Sequence, residues 1–344
     1  MKLLICTQIV DSQDSNLGFF HHWIEEFALH CEQVTVICLK EGDHVFPDNV
    51  TVLTLGKEAG TSKWTRGVRF LKYIYLERNN YDAVFVHMNP EYVVLGGHLW
   101  KRWGKKVGLW YAHQSVTKKL HYALGLVDRV FTVSDDSFGI RTPKLAPLGH
   151  GIDTELFNPT LHLESTVTRI VTVGRIAESK HLIEMLQVLD ALHAHGEKFT
   201  FTIVGLPTTP QEEAYASRLY DETATRPYHD KIRFLGAVPH HELPALLNTQ
   251  DLALNFATTG NMDKAGLEAL AVGIPVFTTN DAFLSLLEPY GLYAPTMAGE
   301  TAAQTLMKFL NRSDRPSVVA TLRNRVVAEH SLKNLIPKIL TALS

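Results

Sequence analysis

Eleven apolar runs of strand length recur along the chain, most of them separated by helical patterns, and this alternation limits the fold more than any other feature. In the first half the runs cover residues 2–10, 33–39, 50–56, 82–88, 106–113 and 129–134, with the helical stretches "GFFHHWIEEFALHC" and "KWTRGVRFLKYIYLERN" between them. They are rich in Val, Ile and Leu rather than strictly alternating, as expected of parallel strands covered on both faces. After "PLGHGIDTELFNPT" the pattern restarts, with runs at 169–176, 199–205, 231–238, 251–257 and 274–280. Leu182, Met185, Leu186, Leu189 and Leu192 recur there at helical spacing, and Gly196 ends the helix. A chain of 344 residues also exceeds the length at which one hydrophobic core keeps growing. The expectation is α/β: two Rossmann-like, doubly wound parallel-sheet domains over residues 1–158 and 159–328, joined near residues 155–168, where Asn158-Pro159 breaks the chain and "TLHLEST" has no strand or helix pattern.

Composition narrows the function. A formal net charge of -3 argues against a surface built for nucleic acid, which needs a broad excess of Lys and Arg. The opening "MKLLICTQIVDSQDSN" is followed by acidic residues rather than a small-residue cleavage site, so it reads as a first strand and not as a leader. No apolar run has the length needed to cross a bilayer. Cys6, Cys31 and Cys38 are odd in number and lack metal-ligand spacing, which suits core residues of a cytoplasmic protein. Charge is uneven, however: residues 57–119 hold 12 Lys and Arg against 4 Asp and Glu, with aromatics among them. Such a run is either a solvated helix face or a patch for an anionic membrane or acceptor, which would place the protein peripherally on the inner face of the cell membrane.

Open α/β sheets bind ligands at the carboxyl ends of their strands, so two of them facing across a cleft make that cleft the place for chemistry. At the end of the first strand of the second domain stands "VGRIAESK", residues 173–180, where Arg175 and Lys180 flank a loop leading into a helix. Two cations and free helix N–H groups suit a phosphate, and a solvated Arg beside an exposed Lys is the plainer alternative. In "LEALAVGIPV" the residues Leu267, Leu270 and Ala271 form a core-facing stripe that leaves Glu268 at its edge near the helix start. A carboxylate there can accept hydrogen bonds from the vicinal hydroxyls of a ribose, or serve only as an N-terminal helix charge.

"PLGHGIDTELFNP", "VGRIAESK", "FTIVG", "IRFLGAVPHHELPALLNTQDLALNFA" and "LEALAVGIPV", in this order, resemble the family 4 retaining glycosyltransferases of the GT-B fold, most clearly over residues 145–285. The resemblance implies transfer of a sugar from a nucleotide diphosphate sugar to a glycan or lipid-linked acceptor, with retention at the anomeric carbon, no metal, and no cofactor apart from the donor itself. It also implies synthesis of cell-surface polysaccharide or glycolipid, an acceptor-binding first domain, and a helix at residues 329–344 crossing back to that domain. Position by position, Arg175 and Lys180 match the diphosphate-binding cations, with Gly174 beside them, and Glu268 matches the ribose-binding glutamate, with Gly266 and Leu267 beside it. Phe234 and Val238 match the segment that lines the nucleobase, and His113 matches a first-domain histidine that reaches the donor sugar. The departures are as specific. Gly260 stands where the family has its first glutamate, and Asp263 is the loop's remaining acid, either a helix N-cap or a substitute that approaches the donor sugar. Leu17-Gly18 stands where the family often has Gly-Gly, and Gly18 is the residue that could let acceptor or phosphate approach the backbone. The 17 histidines form no His-Glu-x-x-His, and His21, His22, His240 and His241 read as surface helix starts, so no metal site is expected. Two other readings stand: a weakly catalytic relative that binds the sugar nucleotide, and a nicotinamide-dependent oxidoreductase, against which counts the absence of a Gly-x-Gly-x-x-Gly after the first strand.

Overall fold

The computed structural model describes residues 1–14, 16–160, 165–258 and 260–344. The chain divides into two units. The first comprises Met1–Asp153, Pro239–His241 and Glu329–Ser344, and the second comprises Thr154–Val238 and Glu242–Ala328. The first boundary therefore falls at Asp153, ahead of the break at Asn158-Pro159. Residues 161–164 of the expected linker lie outside the described residues.

The first unit is built on β1 (Lys2–Val10), β2 (Gln33–Glu41), β3 (Val50–Thr54), β4 (Ala83–His87), β5 (Lys106–Trp110), β6 (Arg129–Thr132) and β7 (Leu145–Pro147). All are parallel, in the order β3-β2-β1-β4-β5-β6-β7. Its helices α1 (Phe19–His30), α2 (Lys63–Leu76), α3 (Pro90–Arg102) and α4 (Lys118–Leu124) connect successive strands. β1 shows why both sheet faces are apolar. Leu3 and Ile5 enter one core with Phe20, Trp23 and Phe27 of α1, while Leu4 and Cys6 enter the other with Phe70 of α2 and Trp100 of α3. The three cysteines are buried and unpaired with one another, and burial pushes the thiols of Cys31 and Cys38 up to about 11 and about 12.

The second unit carries β8 (Thr168–Val173), β9 (Phe199–Val204), β10 (Ile232–Gly236), β11 (Leu252–Asn255) and β12 (Val276–Thr278), again all parallel, in the order β10-β9-β8-β11-β12. The helices that follow are α5 (Leu182–Ala194), α6 (Pro210–Ala224), α7 (Leu243–Leu247), α8 (Lys264–Ala271), α9 (Leu284–Leu287), α10 (Gly299–Leu310), α11 (Arg315–His330) and α12 (Leu332–Leu343). Gly196, at φ +80, closes α5 in the left-handed region that favours glycine. Both sheets are doubly wound.

α12 belongs to the first unit. Ile152 N–H donates to His330 O at 2.7 Å and Leu332 N–H to Ile152 O at 2.7 Å, while Ser331 caps the helix through Asn334 N–H at 3.2 Å. Leu335, Ile336 and Ile339 then join the core around Trp23, whose indole N–H reaches Gly151 O at 3.1 Å.

Candidate functional site

The carboxyl ends of β8, β9 and β10 each meet a glycine at positive φ: Gly174 at +149, Gly205 at +135 and Gly236 at +73. A Cβ at Gly205 would lie 1.9 Å from Gly174 O, so two of these strand ends touch through bare backbone. The turn after Gly174 carries Arg175 outward and returns through the 3-10 turn Glu178–Lys180, which lays the Lys180 stem alongside Gly174, where a Cβ would stand 3.2 Å from Lys180 Cε. Gly174, Arg175, Lys180 and Asn255 line one recess, floored by Val173, Leu182 and Met185. The two expected cations are therefore brought to one place.

Each cation already has an acid. Arg175 Nη1 lies 2.7 Å from Glu212 Oε1, and the other carboxylate oxygen accepts Thr208 N–H at 2.7 Å and its hydroxyl at 2.6 Å. Although partial desolvation acts the other way, the Thr208 hydrogen bonds and the Arg175 charge hold the Glu212 carboxyl below its ordinary value. Lys180 Nζ pairs with Asp263 Oδ2, which also accepts the Asn255 amide at 3.1 Å. Both members of the Lys180–Asp263 pair are largely shielded, at 17% and 14% side-chain exposure. Asp263 holds the N-cap position of α8, but its side chain makes no capping hydrogen bond there. Its carboxylate faces Lys180 instead.

Sequence alone left Glu212 and Asn255 out of the site. "TPQE" reads as a capping box, and Thr209 Oγ1 does accept Glu212 N–H at 3.2 Å, but the pairing with Arg175 spans 37 residues and has no local signature. The neighbouring loop is also tied down: His181, in the left-handed region at φ 53, places Nε2 3.0 Å from Thr258 Oγ1.

Glu268 differs from its expected setting. It is the fifth residue of the eight in α8, not at the helix start, and it is 3% exposed. Leu267 is wholly buried, and it serves the packing of α8. Gly266 is required for packing, since a Cβ would stand 2.9 Å from the Phe283 ring. Phe234, on β10, rests edge-on against Tyr220 at 4.8 Å between centroids, and Val238 follows the strand half-buried. Gly260 adopts φ +72, a conformation that suits glycine and strains a glutamate.

In the first unit, Gly18 precedes α1, where a Cβ would fall 2.5 Å from Asp14 O. The chain's own loop therefore accounts for this glycine, and the same residue lines a cavity of about 220 Å³ with Ser12, Gln13, His21, His22, His240 and His241. The histidines are not plain surface positions: His240 is buried and His21 stacks on Phe46 at 4.3 Å. Among the described residues His21, His22 and Glu25 form the one cluster with a metal-ligand composition. Their donors and acceptors serve one another. His22 and His21 place Nδ1 2.9 and 3.5 Å from Glu25 Oε2, and Val45 N–H donates to His21 Nε2 at 3.4 Å, which leaves the ring proton on Nδ1 facing the carboxylate. Hydrogen bonds from the two imidazoles bring Glu25 down to about 2. His113 is exposed three residues beyond the end of β5, with Nδ1 accepting Ser115 N–H at 2.8 Å.

Residues 154–314 match the model of the family described as glycosyl transferases group 1. WcaL of Escherichia coli (strain K12), whose name assigns it to glycosyl transfer in colanic acid biosynthesis, is 28% identical over 210 residues, 58% of this chain and 50% of that protein. The amylovoran biosynthesis glycosyltransferase AmsK of Erwinia amylovora is 27% identical over 207 residues, covering 56% of this chain and 49% of AmsK. The chain thus spans about half the length of the curated relatives it matches. Among solved structures, Anabaena HepE in complex with UDP and glucose superposes with a TM-score of 0.75 at 16% identity, covering 100% of this chain and 99% of that one. OtsA without ligand gives 0.74 at 13% identity, covering 100% and 99%. The chain thus has two doubly wound parallel-sheet units, the fold of GT-B proteins, and its residues 154–314, in the second unit, are similar to the glycosyl transferases group 1.

Proposed function

We propose that the protein transfers a sugar from a nucleotide diphosphate sugar to a glycan or lipid-linked acceptor, with retention at the anomeric carbon and no metal at the donor, in the synthesis of a surface polysaccharide or glycolipid. The observation that carries this reading is the meeting of Arg175 and Lys180 beside Gly174 at the carboxyl end of β8. Relatives named for glycosyl transfer in polysaccharide synthesis support it, as does a structural neighbour captured with UDP-glucose.

The chain's own groups supply the chemistry. As the bond to the sugar breaks, charge accumulates on the leaving diphosphate, and preorganised cations at that point stabilise the transition state more than the ground state. Arg175 and Lys180 fill that role, so no cation need be borrowed from solution. Glu268 takes the ribose hydroxyls, and the backbone around Phe234 and Val238 receives the base. The first unit takes the acceptor. The acceptor proton passes to a donor phosphate oxygen while the new bond forms on the face the diphosphate leaves.

A weakly catalytic donor-binding relative is favoured by one observation, that Gly260 stands where the family has a glutamate while Asp263 is occupied by Lys180. Thermal shift against UDP, GDP and ADP sugars tests the binding, because a ligand of the native state raises apparent stability by mass action. Turnover of the stabilising donor, by transfer or slow hydrolysis, then separates enzyme from relative. No shift with any nucleotide sugar would remove the donor site.

A further inference from the structure

α2 leaves an apolar face uncovered. The helix buries Phe70 and Ile74 against the sheet, yet Trp64 is 83% exposed, and Val68 and Tyr75 are each 54% exposed. With Leu71 they fall at i, i+4, i+7 and i+11, one line down the helix. Four large apolar side chains along one solvent-facing line exceed the scattered exposure that a monomer surface normally shows. The line continues onto α3: the Tyr75 and Trp103 rings lie 6.3 Å apart, and Lys101 and Arg102 occupy the last turn of α3. Lys63, Lys72, Lys101 and Arg102 are all exposed. Glu77, the acid that follows α2, is half-buried and takes the Asn80 amide at 2.8 Å.

Charge identifies the partner. The whole chain carries -3, but residues 57–119, the segment that contains α2 and α3, hold 12 Lys and Arg against 4 Asp and Glu, and the exposed Lys63, Lys72, Lys101 and Arg102 are among them. A second copy docking face to face would set cations against cations. A neutral partner would leave them unused. Indole and phenol rings flanked by long cationic side chains instead match a helix lying in the headgroup layer, rings at the interface and ammonium groups reaching lipid phosphates. No described helix is long and apolar enough to cross a membrane, so this face would rest on the bilayer.

We propose that α2 docks the protein on an anionic lipid bilayer, with Trp64, Val68, Leu71 and Tyr75 entering the headgroup region and Lys72, Lys101 and Arg102 meeting lipid phosphates. The surface is independent of the donor chemistry, and its test requires no substrate. The full chain is sedimented with vesicles of phosphatidylcholine alone and of phosphatidylcholine mixed with phosphatidylglycerol, at low and high salt. Binding should require phosphatidylglycerol, weaken with salt as surface attraction is screened, and blue-shift the tryptophan emission by a component that Trp64→Phe removes. K72E/K101E/R102E should bind roughly a hundredfold more weakly, the scale for loss of three surface cations. W64S/Y75S should lose the retention that survives high salt. All five positions are exposed or near-surface, and circular dichroism confirms the fold of each variant. Equal binding to neutral and anionic vesicles, unchanged binding by the charge variant, or a concentration-dependent dimer that W64S/Y75S abolishes would each overturn the proposal.

Discussion

Arg175 pairs with Glu212 and Lys180 with Asp263, so a diphosphate entering the recess has to compete with a carboxylate at each cation. The two pairs are not equal. Arg175 stays 48% exposed, and its pair contributes little to stability, whereas the Lys180–Asp263 pair is shielded and further fixed by Asn255. If the cations meet charge that grows in the transition state, Arg175→Ala and Lys180→Ala should each lower kcat by about two to three orders of magnitude. Steady-state kinetics on the donor found by thermal shift check this, and unchanged kcat in both variants would discard the clamp. Asp263→Asn has a sign of its own. It keeps the size of the side chain while removing the charge that holds Lys180, so a nucleoside diphosphate should bind about fivefold tighter, the scale of one modest ion pair. Calorimetric titration measures it, and unchanged or weaker binding means that Asp263 does not compete for Lys180. Slower turnover despite tighter binding would show that the same carboxylate also acts on the donor sugar. Equal turnover would confine it to the ion pair.

Elements are where most of the sequence was legible, because a parallel strand buried on both faces has to be an unbroken apolar run and the helix between two such strands must carry an apolar stripe. β1, β2, β8 and β9 follow their runs to within two residues at either end, apart from the tail of the run ending at Ile176, where Gly174 turns the chain out of the sheet. β7 was missed for a physical reason: it is three residues long, ends in Pro147 and lies at the sheet edge, where apolar patterning is weak and proline is tolerated. The site was legible where it is local, as in Gly174, Arg175 and Lys180 around a single turn. It was not where a partner arrives from a distant element, as Glu212 of α6 does for Arg175. Glu268 shows the same limit, since spacing located the carboxylate but not the depth at which α8 buries it. α12 also reaches its core through a long-range contact, and that contact can be measured. Ile339 is wholly buried in the first unit's core, so Ile339→Ala should cost about 2 to 5 kcal/mol by lost burial and the cavity left behind. Denaturant unfolding gives the value, and a cost below about 0.5 kcal/mol would mean that the helix adds little to that core.

At the scale of the whole molecule, each unit has its own sheet and its own buried cores, and the chain's last helix returns to the unit that holds its first strand. The residues proposed to take the sugar nucleotide, Arg175, Lys180, Phe234, Val238 and Glu268, all lie in the second unit, so the two units should respond differently to perturbation. Scanning calorimetry should resolve two components. A nucleoside diphosphate at about 100 times its Kd should stabilise the component of the second unit by about 2.7 kcal/mol, which follows from mass action alone. The first unit's component should move little with nucleotide but should fall in Ile339→Ala, because that cavity opens in the core containing α12. Lys180→Ala reverses the pattern: the nucleotide shift should shrink while the α12-dependent component stays where it is. A single transition moved equally by ligand and by Ile339→Ala would mean that the units unfold as one body, and an assignment of ligand stabilisation to the second unit alone would then fail.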